Sequence, residues 1–123
     1  LLMNGYKVVV IHDKPNDMQR FQGDKVANEQ PRILASMMLN ARCVVGVDSG
    51  PSHFSSLIGR PTLVLSGPTD PTRVFYRPII PIFGTLPCSG CFFQSPFNSK
   101  CDQACASLWS IRAADVLTVV RSL

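Results

Sequence analysis

Long apolar runs are missing: none approaches the ~18 residues of a membrane-spanning helix, so no transmembrane segment is expected. The start, LLMNGYK, has neither a charged leader nor a cleavage site, so no secretory signal is read and a cytoplasmic location is expected. Basic residues never gather into a run. Lys and Arg are scattered from Lys7 to Arg121 around a net charge of +4. A nucleic-acid binder concentrates its charge in a patch, so nucleic acid is disfavoured as a partner, whereas a diphosphate fits this balance. There is no internal repeat and no low-complexity tract. An apolar fraction of 46% excludes general disorder, and 123 residues suffice for one domain with a modest core.

What is present is unevenly distributed. Eight of the ten prolines lie between Pro51 and Pro96, which predicts tight turns and irregular loops there. Four of the five cysteines lie between Cys88 and Cys105, a local device rather than a scattered framework. Leu1–Asn4 with Gly5 reads as the last turn of a capped helix, from which missing upstream residues are expected. Lys7–Ile11 (KVVVI) is a near-continuous apolar run, the pattern of a strand covered on both faces. Asp13–Gln30 reads as mostly loop.

Pro31–Arg42 predicts a helix opened by Pro31, with Ile33, Leu34, Met37, Met38 and Ala41 as its apolar stripe. Cys43–Val47 is the next strand, with Cys43 a buried member. Pro51–Ile58 is a short helix stopped by Gly59, with Phe54, Leu57 and Ile58 expected to face inward. Pro61–Leu65 is a strand and Ile79–Phe83 a further short strand. Thr85–Lys100 is a loop, Asp102–Trp109 a helical turn, and Arg112–Arg121 a closing helix packed through Val116, Leu117 and Val120, with Trp109 and Ile111 against it. Strands alternating with helices imply an α/β fold with parallel pairing.

Two polar turns stand at the carboxyl ends of strands, where open α/β sheets bind ligands. In the first, Asp48-Ser49-Gly50-Pro51-Ser52-His53, a strand ends and a helix begins. The first backbone N–H groups of a helix have no internal partners, and the helix dipole favours an anion there. Gly50 permits close approach of a bulky ligand. Ser49 and Ser52 offer hydroxyls, Asp48 can accept from sugar hydroxyls, and His53 can donate to a phosphate or sugar oxygen. A plain capped turn, with Ser49 as N-cap and His53 half-buried, explains the same residues. In the second turn, Ser66–Pro71, Gly67 and Pro68 bend the chain, and Thr69 and Asp70 suit turn formation. Gly67 and Thr69 are candidates to line the cleft; for Asp70 a structural role is favoured. Arg73 and Arg77 could neutralise phosphate or simply be solvated.

Taken as one block, VGVDSGPSHFSSLIGRPTLVLSGPTDP resembles the signature of glycosyltransferase family 9, the bacterial heptosyltransferases and their relatives. The matching positions are Asp48, Ser49, Gly50, His53, Gly59, Pro61, Gly67, Pro68, Thr69, Asp70 and Pro71, and the resemblance runs from about Ile33 to the C-terminus. It implies a GT-B fold of two Rossmann-like domains, of which residues 1–123 would be a single, partial C-terminal domain: a parallel sheet with flanking helices and a Cys-rich loop over 85–108. It implies that the chain binds a nucleotide-diphosphate sugar, with Asp48 on the sugar and Ser49, Gly50 and their amides on the diphosphate. A missing N-terminal domain would supply the acceptor site and the general base, so no catalytic residue is assigned and the chain alone should not turn over. The acceptor would be lipopolysaccharide-type or protein. Ser55 and Ser56 stand where the family usually carries alanines, and Asp13–Gln30 matches poorly. The absence of an Asp-x-Asp pair agrees with a fold that stabilises its leaving group without a catalytic metal.

The cysteine spacing, Cys88-x2-Cys91-x9-Cys101-x3-Cys105, offers four thiols that could converge on a structural zinc or iron. Two disulfides, or unbridged thiols, are the competing readings, the former uncommon in a reducing compartment. Similar clusters recur at this position in relatives, some with a four-cysteine iron site. Phe92, Phe93 and Phe97 could be loop core or acceptor-facing surface. The rival function is non-enzymatic: a metal-stabilised α/β binding module in an assembly or nucleic-acid complex.

Overall fold

The computed structural model describes residues 5–12, 23–27, 30–93 and 105–123. The chain divides into two compact units, Leu1–Ser36 and Met37–Leu123.

In the first unit, β1 (Val9–His12) pairs in parallel with β2 (Asp24–Ala27), from Val9↔Asp24 to His12↔Ala27. Gly23 enters β2 at φ +111°, and a Cβ there would meet the Val8 carbonyl oxygen at 2.6 Å. That close approach lets Asp24 N–H donate to Val8 O at 3.1 Å and start the ladder. Within Asp13–Gln30, expected to be mostly loop, the described residues include one strand the sequence did not mark, β2, whose Asp-Lys-Val-Ala has a single β-branched residue; most of the rest of that segment lies outside the described residues. Lys7–Ile11 was read as covered on both faces, yet Val9 is exposed and Val10, Ile11 and His12 are only half-buried. The expected helical turn at Leu1–Asn4 lies outside the described residues.

Helix α1 (Pro31–Asn40) opens on Pro31 as expected. Of its apolar stripe Met38 is buried, at 1% exposure, whereas Ile33 is exposed.

The second unit is built on a three-stranded parallel sheet in the order β3 (Val44–Gly46), β4 (Thr62–Ser66), β5 (Ile80–Phe83). The central strand holds the core: Thr62, Leu63, Val64 and Ser66 are buried, joined by Ile82 of β5. The parallel sheet with helices is the coarse α/β architecture expected. Around it lie α2 (Gly50–Leu57), the single turn α3 (Pro71–Val74), a 3-10 turn over Cys91–Phe93, α4 (Ala106–Trp109) and α5 (Ala113–Ser122). Val120 seats α5 in the core.

Helix α2 inverts its expected orientation. Its buried residues are Ser52, Ser55 and Ser56, while Leu57 is 57% exposed and Phe54 and Ile58 are half-buried. The cause is the approach of helix to strand. A Cβ on Gly46 of β3 would overlap Ser52 Oγ. A helix this close leaves room only for small side chains beneath it. Their hydroxyls are satisfied locally: Ser55 Oγ lies 2.8 Å from Thr62 Oγ1, and Ser56 donates to Arg77 O at 3.5 Å. Gly59, at φ +78°, ends the helix as expected, its N–H donating to Ser56 O at 3.0 Å.

Trp109 is also corrected. It is 82% exposed rather than packed on α5, and Ser107, two residues earlier on the opposite face, is the buried member of α4. A Cβ on Gly84, just after β5, would overlap Ser107 O, so α4 too presses on backbone where only small residues fit. Phe92 is exposed; Phe97 lies outside the described residues.

Candidate functional site

Because β3 and β4 are adjacent and parallel, the segments that leave them, Asp48–Gly50 and Gly67–Asp70, emerge at the same carboxyl edge of the sheet. The first carries α2. Ser49 is its N-cap residue in extended conformation (φ −158°, ψ 159°) without a side-chain capping bond. The first bond of the helix runs from His53 N to Ser49 O at 3.1 Å, so the N–H groups of Gly50 and Ser52 precede it, while Pro51 has none. Gly50 and Pro51 are exposed, and a Cβ added to Gly50 would find nothing within 4 Å. The helix mouth is therefore open.

The side chains around it are arranged among themselves. Asp48 and His53 form a pair: His53 Nε2 lies 2.9 Å from Asp48 Oδ1, both side chains about one-third exposed. The imidazole also stacks on Phe75, with ring centroids 3.9 Å apart and planes 5° from parallel. Ser49 Oγ donates to Val47 O at 3.3 Å and lies 3.3 Å from Ser52 Oγ. Ser52 is buried against Gly46, so its hydroxyl points into the fold.

The second turn is more structural. Asp70 caps α3, accepting from Thr72 N at 3.0 Å and Thr72 Oγ1 at 2.7 Å, the structural role favoured from sequence. Arg73 Nε approaches Asp70 Oδ2 at 3.6 Å. The Thr69 carbonyl accepts from Ser66 Oγ at 3.1 Å. Gly67 is buried; a Cβ there would lie 3.4 Å from Cys105 Sγ and 3.6 Å from Leu108. A groove of about 390 Å³ opens beside α3, lined by Thr72, Phe75, Tyr76, Arg77 and Pro81 among others. Phe75 thus lines that groove and also meets His53. Nothing in its sequence context marks it: it is one aromatic after a proline-rich turn.

Cys88, Cys91 and Cys105 are described and Cys101 is not. Cys91 is buried and its N–H donates to Cys88 O at 3.1 Å; Cys88 and Cys105 are half-buried. Among the described residues no disulfide joins these thiols, and no group of three or more His, Cys, Asp or Glu gathers that could hold a metal. Cys43 is half-buried rather than buried and precedes β3; burial pushes its thiol up, opposed by the Arg42 charge. No helix among the described residues is long and apolar enough to cross a membrane.

Residues 32–91 match the model of glycosyltransferase family 9 (heptosyltransferase), a span that includes α1 after Pro31, both polar turns and Cys43, Cys88 and Cys91. Lipopolysaccharide heptosyltransferase 1 of Salmonella typhimurium is 33% identical over 64 residues, 49% of this chain and 20% of that protein. Lipopolysaccharide heptosyltransferase 1 of Pseudomonas aeruginosa is 35% identical over 60 residues, 47% of this chain and 17% of that protein. These matches span about a fifth of the length of the curated relatives. No solved structure matches. Over residues 32–91 the chain matches glycosyltransferase family 9 and is heptosyltransferase-like.

Proposed function

We propose that this chain is the donor-binding part of a glycosyltransferase that moves a heptose-like sugar from a nucleotide-diphosphate sugar to a lipopolysaccharide-type or protein acceptor hydroxyl. The observation that carries the reading is the open mouth of α2 at the carboxyl edge of β3, beside Asp48 and His53. The N–H groups of Gly50 and Ser52 receive the diphosphate, helped by the helix dipole. Ser49 and Pro51 shape the entry to the helix. The free oxygen of Asp48 accepts from a sugar hydroxyl while its partner oxygen holds His53. Gly67 and Thr69 border the same edge from β4. When the bond from the anomeric carbon to the diphosphate breaks, its electron pair leaves with the diphosphate, and the preorganised N–H groups stabilise that charge. A separate N-terminal domain of a GT-B fold brings the acceptor and its base.

The cysteines enter the same reading as a structural device. Cys88, Cys91 and Cys105, which do not gather around a metal position by themselves, would close together with Cys101 onto zinc or iron as it binds, pinning a loop with little core of its own. Elemental analysis of the purified chain is expected to find one metal per chain, and loss of it in Cys88→Ser.

The donor reading is tested by titrating the chain with ADP-glucose and GDP-mannose, with Asp48→Ala alongside. Saturable binding weakened about tenfold or more in the variant is expected, since a hydrogen bond involving a charged group contributes about 1.5–3 kcal/mol. Binding unchanged in Asp48→Ala, or retention on polynucleotide in place of saturable sugar-nucleotide binding, refutes it.

A further inference from the structure

We propose that Phe75 is a positioning residue for His53: its ring fixes the plane of the imidazole so that the His53–Asp48 pair is set before a ligand arrives. The inference deepens the donor reading above and rests on it for its consequence in binding. An imidazole on a helix has two soft torsions, and two contacts suffice to fix it. The hydrogen bond to Asp48 Oδ1, at 2.9 Å, sets where the ring edge points. A carboxylate only accepts, so His53 Nε2 carries the proton and Nδ1 is left on the opposite edge. That bond alone leaves the ring able to tilt about its own line. The Phe75 face, 3.9 Å away and 5° from parallel, removes the tilt.

The two contacts come from different turns. Asp48 leaves β3, whereas Phe75 follows α3, where Phe75 N–H donates to Pro71 O at 3.2 Å. Asp70 caps that turn and buried Pro71 starts it, so the Phe75 backbone is held. The Ser-Gly-Pro-Thr-Asp-Pro turn is thereby given a task that its own side chains, turned to capping and to packing, do not show. It carries the aromatic that orients the histidine of the neighbouring turn. A purely structural Phe75 would need only to be apolar; a positioning Phe75 must be flat and aromatic.

The test follows the His53 ring protons by NMR and the affinity for ADP-glucose by calorimetry. The chains compared are wild type, Phe75→Leu, Phe75→Tyr, His53→Ala and the His53→Ala/Phe75→Leu double variant. In Phe75→Leu the His53 ring protons should move downfield as ring-current shielding is lost. Affinity should fall roughly three- to tenfold, the scale of one aromatic pair. Phe75→Tyr should restore both. The double variant should bind no more weakly than His53→Ala, because the effect of Phe75 passes through the histidine. Unmoved ring protons in Phe75→Leu, or losses from Phe75→Leu and His53→Ala that add in full, overturn the proposal. If Asp48→Ala leaves ADP-glucose affinity unchanged, or the wild type does not bind it, the donor reading fails on its own, and the NOE between Asp48 and the His53 ring, weakened in Phe75→Leu if Phe75 holds the imidazole and unchanged if it does not, still decides the proposal.

Discussion

Replacing Thr62 by Val should destabilise the sheet unit more than removing its partner, Ser55, although Val keeps the shape and strand preference of Thr. The argument lies in the direction of one hydrogen-bond chain. Thr62 Oγ1 donates its single proton to Arg60 O at 2.8 Å. The 2.8 Å contact between Ser55 Oγ and Thr62 Oγ1 therefore has Ser55 as donor. Both residues are fully buried, at 0% exposure. Thr62→Val leaves the Ser55 hydroxyl and the Arg60 carbonyl without this partner, at a cost of about 1–3 kcal/mol for the stranded buried donor. Ser55→Ala removes only the terminal donor and keeps the bond to Arg60, for about 0.5–1.5 kcal/mol. The double variant removes both hydroxyls and should be more stable than Thr62→Val alone. Thermal unfolding should lose roughly 5–15 °C in Thr62→Val, on the usual scaling for a domain of this size, and urea unfolding should give the same order. Thr62→Val no worse than Ser55→Ala, or fully additive losses in the double variant, would refute the directed chain.

Gly46→Ala should cost about 1–3 kcal/mol by thrusting a methyl into Ser52 Oγ, and Ser52→Ala in the same chain should recover part of it, both read by thermal melts. Asp70→Ala should lose about 0.5–2 kcal/mol with the cap of α3, checked by denaturant titration. Asp115 titrates below the usual carboxylate range because Arg112 hydrogen-bonds it, with distances of 2.7 and 3.1 Å. A depressed carboxyl stabilises the fold above its unfolded value and loses that contribution as pH falls through the folded value. Asp115→Asn should therefore flatten the acid limb of a stability-against-pH curve below about pH 4, the ordinary carboxylate range.

The parts legible in sequence were those with strong local chemistry. Pro31 opens α1, Gly59 closes α2, and the β-branched or apolar runs became β3, β4 and β5 within a residue or two. What escaped was decided by contacts. β2 is polar and exists because Gly23 brings its backbone against Val8. Leu57 and Trp109 were assumed to turn inward because they are apolar, but Gly46 and Gly84 draw α2 and α4 so close that serines take the buried side. The same holds for the candidate site. Asp48, Gly50 and His53 stand out in sequence by their turn, and a Cβ on Gly50 would meet open space. The bond between Asp48 and His53, and the stack on Phe75, depend on how two turns meet, which residue order does not encode.

The turn after β4 lends its carbonyls to the cysteine segment: Gly90 N–H donates to Gly67 O at 3.0 Å and Phe92 N–H to Pro68 O at 2.8 Å. Gly90 sits at φ +74° with Asp70 Cβ 3.3 Å from where its own Cβ would be. For anyone re-engineering this edge, the two loops form one cassette. A transplant of residues 66–71 without 88–92 would arrive with two acceptors starved of donors, and a library that randomises either loop alone explores shapes the other forbids.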